Sequence, residues 1–200
     1  MLTPQTQAKK LAAILGLSAD LYLKREDLHP YGSHKGRSIP IMIEKYVGEG
    51  WQNFCISSSG NAALAAIYTI RDLNKNQNQQ NTLHIFVGNY IQPDKLERLE
   101  QAKKNDIAIT IEQVQNPKQS AFTLDKEGGA KNLRQSTDDI ALLGYQSLAD
   151  ELSQIKNLSA VFIPTSSGTT AQGLHQGFQK YDLNPQIHIV QTDFCHPIVG

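Results

Sequence analysis

Short runs rich in Ile, Val and Phe alternate with longer helical patterns along most of this chain. The runs lie at Asn53–Ser57, Leu83–Val87, Ile107–Ile111, Ala160–Ile163 and Ile187–Val190, each bounded by polar or turn residues. Such runs read as buried parallel strands. Helical spacing falls between them at Ala62–Asn74, Gln92–Lys104, Ala141–Lys156 and Thr170–Tyr181, with Pro93 near the start of the second. The alternation predicts an α/β fold with parallel sheets flanked by helices, of the doubly wound kind. In such sheets ligands sit at the carboxyl ends of the strands.

Two strand-to-helix junctions carry the chemistry. Ser57-Ser58-Ser59-Gly60-Asn61-Ala62-Ala63 stands where a strand gives way to an alanine-rich helix. Free backbone N–H groups and the positive end of a helix dipole favour an anion there. Serine hydroxyls add donors, and the Asn61 amide can bond a phenolic oxygen. The same residues would also serve as a plain helix N-cap. Pro164-Thr165-Ser166-Ser167-Gly168-Thr169-Thr170-Ala171-Gln172-Gly173 is the second junction, small and hydroxyl-rich enough to wrap a phosphate. It is neither a Walker A loop nor a GxGxxG fingerprint, and a turn capped by Ser and Thr without a ligand is the alternative. Upstream, Lys35 sits in Tyr31-Gly32-Ser33-His34-Lys35-Gly36-Arg37, after the polar, strand-like run Leu21–Leu28. A lysine near two anion cradles suggests Schiff-base chemistry with an aldehyde cofactor, pyridoxal 5'-phosphate.

Composition removes several classes. Nineteen basic and nineteen acidic residues cancel, so a nucleic-acid or anionic-membrane partner has no electrostatic support. Cys55 and Cys195 lie far apart without CxxC spacing, so buried free thiols in a reducing cytosol are expected and the protein is expected to be cytoplasmic. Adjacent Cys195 and His196 do not make a metal pair, and no metal site is expected. The run Lys9–Leu17 is too short for a signal peptide and reads as an amphipathic helix. The Gln/Asn-rich stretch 74–81 and the pairs Asn116-Pro117 and Gly128-Gly129 read as loops; a weak edge strand is expected around Asn132–Asp139.

Lysine and both junctions, in this order, resemble the fold-type-II pyridoxal-phosphate enzymes of the tryptophan synthase β superfamily. Thr3-Pro4 is similar to that family's opening Thr-Pro, and Leu21–Leu28 to its Lys-Arg-Glu-Asp strand. Gly32-Ser33-His34-Lys35-Gly36-Arg37 resembles its Gly-Ser-Phe-Lys-Asp-Arg motif, Ser58-Ser59-Gly60-Asn61 its Ser-Gly-Asn loop, and Ser166–Thr170 its phosphate loop. Gln191, Cys195 and Pro197-Ile198-Val199 look like a segment of threonine synthase.

That resemblance implies roles. Lys35 would hold pyridoxal phosphate covalently and act as the base at the substrate's α-carbon. Asn61 would bond the cofactor's ring hydroxyl, and Ser166, Ser167, Gly168, Thr169 and Thr170 its phosphate. Ser58, Ser59, Gly60, Asn61 and Ala62 would line the substrate pocket. Residues 1–36 with 142–200 would form a large lobe and 37–141 a small one, with a small amino-acid substrate in the cleft and a homodimer allowed. Tyr145, Gln146 and Ser147, near the lobe connection, are expected to pack rather than react. Arg37 and Lys24 are the candidate basic residues for a substrate phosphate.

The departures are His34 for the usual Phe, Ala62 for Thr or His, and fewer glycines in the phosphate loop, which suffices only if no residue there needs positive φ. Pro40 places the start of its helix near Ser38. The chain also stops before the family's last strands and its pyridine-nitrogen contact, as either a fragment or a shortened homologue. The resulting expectation is a threonine-synthase-type lyase converting O-phosphohomoserine to threonine. The alternatives are a serine/threonine dehydratase and a non-catalytic homologue that binds the cofactor.

Overall fold

The computed structural model describes residues 2–77, 80–193 and 198. At the amino end, β1 (Gln5–Gln7) pairs antiparallel with β2 (Tyr22–Lys24), and the short α1 (Lys9–Ile14) lies between them, inside the run read as an amphipathic helix. The strand expected over Leu21–Leu28 is thus shorter, because Glu26–Leu28 turns into a 3-10 helix.

Next comes α2 (Lys35–Gly48), which begins at Lys35 itself rather than near Ser38. Pro40 therefore sits inside the helix and leaves the Gly36 carbonyl without its usual amide donor. Burial outweighs that loss: Ile39, Met42, Ile43 and Tyr46 all enter the core.

The central sheet uses β3 (Asn53–Ser57), β4 (Thr82–Gly88), β5 (Ile109–Val114) and the edge strand β6 (Lys131–Asn132), all parallel in the order β5-β4-β3-β6. Between them run α3 (Asn61–Gln77), α4 (Pro93–Lys103) and α5 (Pro117–Lys126). The helix α3 carries the first half of the stretch expected as a loop. Its Asn74 side chain bonds the backbone of the buried Asn81 in both directions at 2.9 Å. Asn116-Pro117, expected as a loop, opens α5 with proline at its first position. Ile107, expected in a strand, is 97% exposed, because Asp106 Oδ1 accepts from the Ala108 N–H at 3.0 Å and holds a turn there.

The helix expected over Ala141–Lys156 splits into α6 (Ile140–Leu143) and α7 (Gln146–Leu152). The break lies where Gly144 meets α2. A Cβ at Gly144 would stand 2.3 Å from the Arg37 carbonyl oxygen. Last, β7 (Ala160–Pro164) pairs parallel with β8 (Gln186–Val190) across α8 (Thr169–Gln179).

These last two strands are parallel but not buried as expected. Ile163 packs with Tyr145, Leu148, Leu174 and Phe178, while Phe162 is 65% exposed and Val190 45%. Cys55 is buried and free, and burial pushes its thiol up to about 12. Cys195 and His196, with Pro197, Val199 and Gly200 of the terminal motif, lie outside the described residues. Among the described residues no helix is long and apolar enough to cross a membrane.

Candidate active site

Lys35 is the first residue of α2, and its backbone N–H reaches Ser33 Oγ at 3.3 Å. Among the described residues its half-buried amine has no ion-pair or hydrogen-bond partner. The loop before it is fixed from both sides. Tyr31 donates its hydroxyl to Asp72 of α3 at 2.6 Å, and the His29 ring lies over Gly36, where a Cβ would come within 2.2 Å of it. Position 36, an acid in the resembled motif, is here closed to any side chain unless His29 moves.

The neighbouring cations are committed elsewhere. Arg37 binds Glu26 through Nε at 2.7 Å and Nη2 at 2.8 Å, and Glu151 of α7 through Nη1 at 2.8 Å. Lys24 pairs with the same Glu151 and donates to the Thr3 carbonyl at 2.7 Å. Thr3 Oγ1 accepts from Arg37 Nη2 at 3.0 Å and donates to Glu26 at 2.5 Å. Two cations and two carboxylates thus neutralise each other in a buried cluster. Burial by itself would raise the Glu151 carboxyl, but hydrogen bonds from Arg37, Lys24 and the Thr3 N–H more than reverse it, holding the group down to about 2. Arg37 and Lys24 are therefore not free to meet a substrate phosphate. The sequence signal for Glu151 was a lone acid on the face that buries Leu148 and Leu152.

His34 lies beside Tyr145, with ring centroids 6.1 Å apart. Burial, then the positive charge of Lys35, drives its imidazole down to about 4, so it is neutral at pH 7. Tyr145 is fully buried and accepts a 3.1 Å bond from Ser38 Oγ, one turn along α2 from Lys35. Across Tyr145 lies α8, where a Cβ on Gly173 would sit 2.9 Å from the tyrosine Cβ. The lysine helix and the helix that follows the Ser166–Thr170 turn are thus packed against one side chain. Tyr145 packs as expected, whereas Ser147 is exposed and its Oγ accepts from Arg37 Nη1 at 3.0 Å. Ser38 was not anticipated from sequence.

At the second junction, Gly168 caps α8 in the left-handed region at φ +78°, with no side-chain cap on the helix. One residue of that turn does need positive φ, and glycine stands there. Ser167 and Thr169 hydroxyls lie 2.8 Å apart, and Thr169 and Thr170 are buried while Ser166 and Ser167 are exposed. Gln191 Nε2, just after β8, clamps the turn, donating to the carbonyls of Thr165 at 3.0 Å and Ser166 at 3.1 Å. At the first junction, Ser58, Ser59, Gly60 and Ala62 are half-buried and Asn61 is exposed, at the carboxyl end of β3 and the start of α3. The Gly60 N–H reaches Ser58 Oγ at 3.3 Å.

A family model described as pyridoxal-phosphate dependent enzyme matches residues 2–200. The chain belongs to that family. Among its relatives, human L-serine dehydratase/L-threonine deaminase is 28% identical over 185 residues, 89% of this chain and 52% of that protein. The mouse protein of the same name is 27% identical over 184 residues, 89% of this chain and 53% of its own length. Threonine deaminase isoform 2 from Solanum lycopersicum superposes with a TM-score of 0.79 at 23% identity, over 94% of this chain and 50% of that one. A pyridoxal 5'-phosphate-dependent aspartate racemase gives 0.80 at 20% identity, over 95% and 57%. The chain spans about half the length of these relatives.

Members of this pyridoxal-phosphate family use that cofactor, and the residues present fit it. Lys35 offers an uncommitted amine. The uncapped start of α8 offers N–H groups and hydroxyls without a charge. Gly60 has no left-handed φ, and a Cβ there would meet nothing within 4 Å. The space beside Gly60 is thus open. Among the described residues no group of three His, Cys, Asp or Glu could hold a metal ion.

Proposed function

We propose that this chain carries the cofactor-binding part of a pyridoxal-phosphate ammonia-lyase that deaminates L-serine or L-threonine to the 2-oxo acid and ammonia. The observation that carries this reading is the Lys35 amine, unpartnered among the described residues, while Arg37, two residues on, and Lys24 are both locked to acids, Arg37 to Glu26 and Glu151 and Lys24 to Glu151. Two further facts favour the dehydratase over threonine synthase. The human and mouse relatives bear that name, and Arg37 and Lys24, the candidates for a substrate phosphate, are already paired.

Lys35 holds the cofactor and is the base for the substrate's α-proton. When bound, the cofactor supplies the electron sink that makes that proton removable. Asn61 bonds the ring hydroxyl, and Ser166, Ser167, Gly168, Thr169 and Thr170 hold the phosphate. Ser58, Ser59, Gly60, Asn61 and Ala62 orient the substrate carboxylate. The Cα–H and Cβ–O bonds break, a Cα=Cβ bond forms, and water leaves. Hydrolysis of the product enamine then yields a 2-oxo acid and ammonia. In this reading residues 1–36 with 142–200 form one lobe and 37–141 the other; the support is that residues from 145 onward have their own core around Tyr145, apart from the core around Ile43, on which Tyr31 also packs.

The test is product analysis of the protein supplied with pyridoxal phosphate. Pyruvate from serine and 2-oxobutanoate from threonine are expected. Threonine formed from O-phosphohomoserine would replace this reading with the synthase, and no turnover of any of the three would leave a cofactor-binding homologue.

A further inference from the structure

The two strand-to-helix junctions differ in what holds them. The Ser58–Ala62 loop has a local bond, from the Gly60 N–H to Ser58 Oγ, and among the described residues no side chain from another element bonds it. The turn from Thr165 to Thr170 is held from outside, by Gln191. Strands β7 and β8 stay in register to Pro164 and Val190, and the Thr165 N–H donates to the Val190 carbonyl at 3.1 Å, so Gln191 leaves β8 beside the start of the turn. Its half-buried side chain uses both ends. Nε2 donates to the Thr165 and Ser166 carbonyls, and Oε1 accepts from the Ile198 N–H at 3.4 Å. Ile198 in turn lies beside Gly168, where a Cβ would stand 3.4 Å from its Cδ1.

Two fixed carbonyls decide where the next amides point. In a trans peptide the C=O and the following N–H point in opposite directions, and no cis bond occurs among the described residues. Holding the Thr165 and Ser166 carbonyls towards Gln191 therefore turns the N–H groups of Ser166 and Ser167 away from it. Neither of these amides has an acceptor among the described residues, whereas the Gly168 N–H is already taken by Thr165 Oγ1 at 3.2 Å. Two preset, unsatisfied amides followed by the uncapped start of α8 make a backbone cradle for an anion.

We infer that Gln191 is a positioning residue for the cofactor phosphate: by holding two carbonyls back, it presets the Ser166 and Ser167 amides to meet that group. The inference rests on the proposed function, which puts the phosphate at Ser166–Thr170. Without the clamp the same peptides can rotate and bring carbonyl oxygens towards the anion, where they repel it.

The test compares pyridoxal phosphate with pyridoxal, which has the same ring and aldehyde but no phosphate. Each is titrated into the protein and followed by its visible absorbance band. Gln191→Met, similar in length but without a donor, should weaken pyridoxal phosphate at least about tenfold and pyridoxal less than about twofold. Gln191→Asn, one methylene shorter, should show the same selective loss, because its amide no longer spans both carbonyls. Gln186→Met, at an exposed position on β8, should change neither constant.

Gln191 variants that keep the wild-type preference for the phosphorylated form, or that lose both ligands equally, would overturn the inference alone. A wild type that binds the two ligands equally would refute the placement of the phosphate in the proposed function, and this inference with it.

Discussion

Replacing Glu151 by Gln removes one carboxylate from the cluster that ties α2 to α7 and to Thr3. The wild-type group is held at about 2 against an ordinary 4.5, and its side chain is only 7% exposed. By linkage that gap is worth about 3 kcal/mol. Gln still accepts a hydrogen bond from Arg37, so the expected loss in urea unfolding at pH 7 is about 2–3 kcal/mol. The pH dependence carries the sharper signature. A carboxylate whose folded value is depressed stabilises fully above its unfolded value, and that contribution fades as pH falls through 4.5 towards 2. Gln has nothing to lose over that range, so the difference between wild type and variant should narrow from pH 5 to pH 2. A variant within about 0.5 kcal/mol of wild type at pH 7, or a difference that stays constant down to pH 2, would refute the reasoning.

Gly144→Ala places a Cβ 2.3 Å from the Arg37 carbonyl oxygen and 2.4 Å from Ser38 Cα, which are backbone atoms that no rotamer change relieves. Thermal unfolding should show a loss of about 2 kcal/mol or more, with weaker cofactor uptake because α2 is displaced. His34, half-buried and next to Lys35 in sequence, refuses a proton until about pH 4, whereas the unfolded chain accepts one below 6.5. Wild-type stability should therefore fall by up to about 3 kcal/mol as pH drops from 6.5 to 4, and His34→Phe should abolish that part of the fall in urea titrations at the two pH values.

The strands were legible because their Ile, Val and Phe runs are local, and β3 matches its expected bounds to the residue. Both junctions could be read for the same reason: Ser, Gly and Thr report turn geometry in place. What could not be read depends on distant packing. Helix α2 contains Pro40 and is set by burial of Ile39, Met42 and Ile43, not by its own propensity. The break at Gly144 exists only because Arg37 and Ser38 occupy the space beside it. Glu151 meets residues 114 and 148 positions away in sequence, Arg37 and Thr3, partners that no local pattern reveals. The β7–β8 pair shows the reverse error: apolar composition suggested burial for Phe162 and Val190, which are exposed.

The central claim is that Lys35 carries pyridoxal phosphate. The direct measurement is borohydride reduction of the protein with the cofactor, then peptide mass mapping. One phosphopyridoxyl group on Lys35, and loss of both the label and the visible absorbance band in Lys35→Ala, is the predicted result. A label on another lysine, or an unchanged band in Lys35→Ala, would contradict the account.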